Sequence, residues 1–324
     1  MKKVIKVLCI ILSVLVVGLV GLGAWLYSVY SRVSDNPFSA FDKISSGGQT
    51  VEENGTQYTF KDEMVHILIL GIDSNEEREE EHKGYRSDVM ILLTVDFKNN
   101  ALSTISIPRD TRVEMNKLDY DTGEVTSRTT NRINAAYAFG GGPDHYGAQN
   151  AMDCTEEFLS CGGRFNIPID LYISIDMDGI PKLVNTVGGV EVVLDRDLEG
   201  VGSKGETVTI TEETADAYLR ERYSGGGDDG RASRQVDFII SILKKIQDQG
   251  VLKLAPQLYS DFITYGQTNL SLEQILAMAS VMDDMDIDAI ERYRVTGTTR
   301  PDYQIVPDTD ALAEFILEHF YTSS

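Results

Sequence analysis

The chain opens on one long apolar block and then alternates short apolar runs with amphipathic ones. From Val7 to Leu26 no charged residue occurs, and about 20 apolar residues are what a helix needs to cross the hydrocarbon core of a bilayer. Lys2, Lys3 and Lys6 precede this block, and Arg32 alone follows closely. That asymmetry places the N-terminus in the cytoplasm, with Trp25, Tyr27 and Tyr30 at the outer interface. A cleaved signal peptide is the competing reading, but its apolar region is usually shorter, and no A-x-A-like site follows. The pattern therefore predicts a cytoplasmic stretch over residues 1–6, an uncleaved anchor over 7–30, and everything beyond on the outside.

Residues 31–62 are polar and interrupted by Pro and Gly, which reads as a linker. Order begins at Met64–Gly71 (MVHILILG), a buried strand by its unbroken apolar run. Val89–Val95 and Ala101–Ile107 make two more strands, and the turn formers Asp96-Phe97-Lys98-Asn99-Asn100 between them predict a hairpin. Helical spacing follows at 144–160, 178–187 and 212–220, with strands at 169–176 and 190–194 between, and a long amphipathic helix runs over 231–249. Beyond Gly250 the pattern is mainly helical, with a strand at 291–296 and a last helix at 308–320. Mixed elements of this kind give an α/β layered domain. Residues 63–250 read as its body and 251–324 as a helical extension, either an appended lobe or an outer layer.

Charge sharpens this picture. The formal net charge is -22, which argues against a nucleic-acid partner. Against that background arginine recurs beside aspartate: Arg86-Ser87-Asp88, Pro108-Arg109-Asp110, Arg220-x-Arg222, and Arg231 with Arg234-Gln235 after Ser224-Gly225-Gly226-Gly227-Asp228-Asp229-Gly230. The arginine fork matches phosphate oxygens and aspartate suits hard cations such as Mg²⁺, so the combination suggests a phosphorylated ligand with a metal. If strand 65–71 pairs antiparallel with 89–95, Asp73 falls near Arg86 and Asp88, and the third strand delivers Arg109 and Asp110 to the same rim. Arg220 and Arg222 point to one side only if the backbone there is extended. On the long helix Arg231, Arg234 and Gln235 share a face that continues into Phe238, Ile242 and Ile246.

Each piece alone has a plainer reading. Arg–Asp neighbours are commonly solvated pairs worth under about 1 kcal/mol, and Asp228 and Asp229 suit a helix cap. The glycine-rich loop lacks the Gly-Lys-Ser/Thr of a Walker motif, no G-x-S-x-G appears, and the four histidines lack ligand spacing. Arg132, in Asn131-Arg132-Ile133-Asn134, is a site residue or a helix-start contact. Cys154 and Cys161 would lie roughly 10 Å apart in a continuous helix, too far to bridge. A fold-back at Ser160-Cys161-Gly162-Gly163 would close that gap and favour a structural disulfide.

The segments ILILGIDS, YRSDVMILLTVD, STISIPRDTRVEM, RINAAYAFGG, IPIDLYISIDMDGIPKLVNTVGGVEV and AYLRERYSGGGDDGRASRQ resemble the LytR-CpsA-Psr family in order and spacing over roughly residues 64–250. The resemblance implies a three-layer α/β/α sandwich with a mixed central sheet, preceded by one transmembrane helix, with a deep apolar pocket for a lipid tail. It implies a phosphotransferase that moves anionic glycopolymers, of teichoic acid or capsule type, from polyprenyl diphosphate to peptidoglycan outside the membrane of mainly Gram-positive bacteria. By the same resemblance Asp73 and Asp88 would hold Mg²⁺ (or Mn²⁺). Arg86, Arg109, Arg220, Arg222 and Arg231 would clamp the phosphates beside Gln235, and Arg234 would take a supporting role. Asp228 or Asp229 would match the acidic residue before the Gly-Arg pair. A Glu-rich segment between Asp73 and Arg86, and an insertion over Ser160–Phe165, depart from the family pattern without deleting a motif residue. No general base is assigned. A polyprenyl-diphosphate pyrophosphatase and a non-catalytic envelope-sensing ectodomain are the alternatives.

Overall fold

The protein's structure, a computed structural model, describes residues 27–41, 44, 49–73, 85–220, 227–282 and 284–323; for residues 227–233, 251, 252, 255, 256 and 259 only the backbone is described. Helical turns over residues 27–35 lead into a hairpin of β1 (Thr50–Glu53) and β2 (Thr56–Phe60). β3 (Met64–Asp73), β4 (Arg86–Asp96) and β5 (Ala101–Ser106) follow as an antiparallel meander. A second hairpin, β6 (Arg112–Leu118) and β7 (Val125–Arg132), precedes helices α1 (Ala135–Phe139) and α2 (Gly147–Leu159). β8 (Leu171–Asp176) then runs parallel to β3. After it come α3 (Ile180–Thr186), β9 (Val190–Val193), β10 (Thr207–Ile210), α4 (Ala215–Arg220), α5 (Gly227–Gln249) and α6 (Val251–Tyr265). The chain finishes with β11 (Gly266–Thr268), α7 (Leu272–Met282), β12 (Glu291–Arg294), a small hairpin of β13 (Gly297–Thr299) and β14 (Ile305–Pro307), α8 (Thr309–Phe320) and β15 (Tyr321–Ser323).

The central sheet is mixed and six-stranded, in the order β11-β8-β3-β4-β5-β12. Both of its faces are buried, which is why β3 and β4 read as nearly continuous apolar runs rather than as alternation. Val65, Ile67, Val89, Ile91, Leu93 and Val95 pack with Val236, Phe238 and Ile240 of α5. On the other face Leu68, Leu70, Ile72, Met90 and Leu92 pack with α1, α2 and the Leu312, Phe315, Ile316 and Phe320 stripe of α8. Each such side chain contributes roughly 1.5–3 kcal/mol when fully buried, so the two layers hold the sheet between them.

Several expectations need correction. The stretch over 31–62 is not a plain linker: Val33, Phe41 and Phe60 are buried in the two cores, and β2 pairs with β15 at the far end of the chain. Asn54 (φ 51°) and Gly55 (φ 78°) make the tight turn of that hairpin, the left-handed pair that two-residue connections require. Residues 251–324 are not an appended helical lobe either. They supply both outer strands of the sheet, β12 parallel to β5 and β11 antiparallel to β8, because those edges would otherwise expose unpaired backbone. α5 begins at Gly227, inside the loop expected to precede it, so Asp228 and Asp229 fall in its first turn, where the helix dipole favours acidic residues.

The disulfide is also absent. Cys154 and Cys161 are both free; the Cys154 thiol turns inward from α2 to the Glu114 carbonyl, and burial pushes Cys154 up to about 12 and Cys161 up to about 11. No helix among the described residues is long and apolar enough to cross a membrane. The expected anchor, over its residues 7–26, and the Glu-rich segment both lie outside the described residues.

Candidate functional site

The rim expected from strand order exists, and a bulge shapes it. β3 and β4 pair residue for residue from Met64↔Asp96 to Gly71↔Val89, then resume at Ile72↔Ser87 and Asp73↔Arg86. Asp88 is thus the extra residue of a β-bulge, a device that re-aims a side chain out of the alternation. Gly71 sits directly opposite. A Cβ there would lie 2.7 Å from Val89 Cγ2 and 2.9 Å from Met177 Sδ, so only glycine lets the strands approach this closely.

The re-aimed Asp88 is 9% exposed and accepts from Arg109 Nη1 at 2.7 Å and from Asn134 Nδ2 at 3.1 Å. Arg109 Nε lies 3.3 Å from Asp110 Oδ2, and Arg132 Nε lies 2.8 Å from Asp110 Oδ1. The result is an alternating chain of charges, Asp88–Arg109–Asp110–Arg132, delivered by three segments. Asn134 ties them together through its backbone as well: its carbonyl accepts from Ser87 N at 3.3 Å, and its own N–H donates to the Arg109 carbonyl at 3.3 Å. Charges this sheltered interact far more strongly than exposed pairs do.

A cavity of about 150 Å³ opens on this network, lined by Asp88, Arg109, Asp110, Gln235, Arg294 and Tyr303 among others. A second cavity, about 70 Å³, lies beneath α5 among Ile69, Ile175, Leu183, Phe238, Ile239 and Ile242. The two share Val89 and Gln235. A chamber bearing charged groups, Asp88, Arg109, Asp110 and Arg294, therefore adjoins one lined almost wholly by apolar side chains, the arrangement that suits an amphiphile with a charged head. On the opposite flank a cleft of about 320 Å³ runs between Tyr85, Tyr137, Asp176, Tyr265 and Gln267.

The LytR_cpsA_psr family model matches residues 31–316. The chain belongs to the LytR-CpsA-Psr family. Among its LytR-CpsA-Psr relatives is the polyisoprenyl-teichoic acid–peptidoglycan teichoic acid transferase TagU of Bacillus cereus, 33% identical over 99% of this chain and 93% of that protein. TagU of Halalkalibacterium halodurans is 35% identical over 76% of this chain and 73% of its own length. The crystal structure of B. subtilis TagV superposes with a TM-score of 0.62 at 27% identity, covering 80% of this chain and 98% of that one. The mixed central sheet is thus the LytR-CpsA-Psr fold.

Within that fold the residues singled out from the sequence fall into separate groups. Asp73, Arg86, Asp88, Arg109 and Asp110 share one end of the sheet. Gln235, 5% exposed, lines the same cavity from α5, its Nε2 donating to the Leu219 carbonyl. Arg220, the last residue of α4, pairs with Asp178 and Asp216. Asp178 follows β8, whose end lies beside Ile72, so this pair sits on the same rim. Arg222 lies outside the described residues, as do the side chains of Asp228 and Arg231. Arg234 is buried and its Nε donates to the Tyr218 carbonyl at 3.1 Å, closing the end of α4, a structural task in keeping with a supporting role. The sequence reading missed Asn134, Arg294 and Tyr303. Asn134 carried a signal in its place directly after Arg132 and Ile133, whereas β12 joins β5 across some 185 residues with no mark in either segment.

Proposed function

We propose that this protein transfers an anionic glycopolymer from a polyprenyl diphosphate carrier to a hydroxyl of peptidoglycan, on the outer side of the membrane to which residues 7–30 anchor it. The observation that carries this reading is the shared wall of the two cavities. Gln235 and Val89 border both the charged chamber of Asp88, Arg109 and Asp110 and the apolar one under α5. A lipid diphosphate is the ligand whose two halves match those two chambers. The names of the TagU relatives support the same donor and acceptor.

In the reaction the acceptor oxygen attacks the phosphorus next to the sugar. The bond from that phosphorus to the oxygen of polyprenyl phosphate breaks, polyprenyl phosphate leaves, and the hydroxyl proton is lost. Arg109, held by Asp88 and Asp110, presents a fixed guanidinium to the phosphoryl oxygens. A donor already oriented costs no reorganisation as charge develops. Arg86 lines the rim beside it, and by the family resemblance Arg220, Arg222 and Arg231 would extend the clamp, Arg220 exchanging its carboxylate partners for phosphate oxygens. Gln235 orients the diphosphate at the entrance to the apolar chamber.

Asp73 and Asp88 are the residues that would hold Mg²⁺. Among the described residues no cluster of three or more His, Cys, Asp or Glu forms a ready-made cage. Mg²⁺ nevertheless needs only one or two carboxylates when substrate phosphates and water complete its shell. Asp88 lies on the wall of the charged cavity, and carboxylate oxygens are the donors Mg²⁺ takes, so the donor set fits. When bound, the ion would neutralise charge on the diphosphate.

The test is transfer of labelled lipid-linked polymer into insoluble peptidoglycan by the full-length protein in detergent. Label should enter the wall fraction, and Arg109→Ala and Asp88→Ala should abolish that entry. Phosphate release with an unlabelled wall would instead indicate a pyrophosphatase. Full complementation of a deletion strain by both variants would indicate a non-catalytic envelope sensor.

A further inference from the structure

Tyr303 is exposed, conformationally costly and held in place by the site itself. It is 77% exposed and has φ +62°, a conformation that bulky side chains adopt rarely and at a cost. Of the large exposed side chains described, it alone opens onto the cavity of Asp88 and Arg109. The loop between β13 and β14 that carries it is fastened to the segments that build the ion network. Ile305 N donates to the Asp110 carbonyl at 2.9 Å, and Thr111 bridges Ile305. Arg132 Nη2 donates to the Asp302 carbonyl and Arg112 Nη1 to Gln304 Oε1, each at 2.8 Å. Within the loop, Tyr303 N donates to the Arg300 carbonyl at 2.9 Å and Arg300 N to the Gln304 carbonyl at 2.8 Å.

We infer that Tyr303 is a stacking platform for a pyranose ring, seated on the side of the cavity away from the lipid. The inference rests on the function proposed above and adds a sugar subsite to it. From Arg109 the cavity leads two ways. Inward it meets Val89, Gln235 and the apolar chamber; outward it meets Arg294, Thr299 and Tyr303. A lipid-linked saccharide has three parts, and the inward route and the central cations take two of them. The outward wall is left for the sugar, whose C–H face packs against an aromatic ring while its hydroxyls reach polar neighbours. The anchoring of the loop explains how a strained, solvent-facing tyrosine keeps a fixed position.

Binding assays separate this from the transfer reaction, because no turnover is needed. The full-length protein in detergent would be titrated with farnesyl diphosphate, with farnesyl diphospho-N-acetylglucosamine and with N-acetylchitotetraose. Tyr303→Ala should weaken the sugar-bearing diphosphate by about tenfold, the worth of one aromatic contact, and leave farnesyl diphosphate unchanged. Tyr303→Trp should retain affinity. A loss confined to N-acetylchitotetraose supports the same stacking role with the acceptor glycan as the source of the ring. Tyr303→Gly relieves the backbone, so its melting temperature should not fall while sugar affinity does. Equal loss for farnesyl diphosphate, or unchanged affinity for both sugar-bearing probes in Tyr303→Ala and Tyr303→Gly, would overturn the inference. A failed transfer assay with intact sugar selectivity would count against the proposed reaction and leave this subsite standing.

Discussion

The Asp88–Arg109 pair should behave as a sheltered, strongly coupled pair, and a double-mutant cycle measures that directly. Their side chains are 9% and 17% exposed and their charged atoms 2.7 Å apart. Removing one partner of a buried pair typically costs about 3–5 kcal/mol, because the survivor is left uncompensated. Here both groups border a cavity, and Asn134 Nδ2 still reaches Asp88, so the lower part of that range applies. Arg109→Ala should destabilise the fold by about 2–4 kcal/mol, discounted for partial solvation. For a folded region of this size that is roughly 4–8 °C in melting temperature. Replacing both residues, as in Asp88→Asn with Arg109→Met, should recover most of the loss, since neither charge of the pair is stranded and Asp110 keeps Arg132. Transfer activity should fall by about 10²–10³ in Arg109→Ala, as when one preorganised donor is removed, and it should not recover in the double variant. Calorimetry of the full-length protein in detergent and the wall-labelling assay read the two effects separately. A coupling energy under about 0.5 kcal/mol, the value of an exposed pair, would refute the reasoning about shelter.

Other outcomes follow from particular contacts. Gly71→Ala forces a methyl group against Val89 and Met177 and should cost about 1–3 kcal/mol by overpacking; unchanged melting would show that the strands do not need this approach. His66 is fully buried beside Phe60 and Phe320, with its Nδ1 2.9 Å from Thr94 Oγ1, and desolvation lowers it to about 3. Its folded value lies below the unfolded 6.5, so the unfolded state binds the extra proton. Stability from this residue is complete above pH 6.5 and is lost as pH falls toward 3, by up to about 1.4 kcal/mol per pH unit. Replacing His66 by Phe together with Thr94→Val should flatten that slope, and an unaltered pH–stability curve would contradict the burial. Cys154 and Cys161 should both remain free and alkylate slowly at neutral pH while the protein is folded. An intact mass two hydrogens below the free-thiol value, in protein kept from reductant, would instead establish the bridge.

Much of the sheet was legible because its strands are buried on both faces and read as apolar blocks. The meander β3–β4–β5 and the co-location of Asp73, Arg86 and Arg109 follow from one antiparallel assumption. What escaped has physical causes. The bulge at Asp88 is a register shift, and nothing in Arg86-Ser87-Asp88 distinguishes a bulged aspartate from one that alternates. The β6–β7 hairpin is mostly polar and half-exposed, so no periodicity marks it. Asn54-Gly55 did carry a turn signal, but the polar, proline- and glycine-interrupted stretch around it obscured the flanking strands. The parallel pairing of β12 with β5 is non-local, and neither strand shows its partner in its own residues.

That last pairing has a consequence for biosynthesis. Until residues 266–268 and 291–294 have emerged, β8 and β5 are bare edges flanking a very apolar sheet, the surface on which growing chains aggregate. The network around Asp110 is likewise unfinished until the loop carrying Tyr303 has closed over it. A nascent chain stopped short of this point holds every arginine of the central motifs, yet it has neither a protected sheet nor a complete cavity. The sheet and the cavity are therefore completed only by the last segments of the chain to be made.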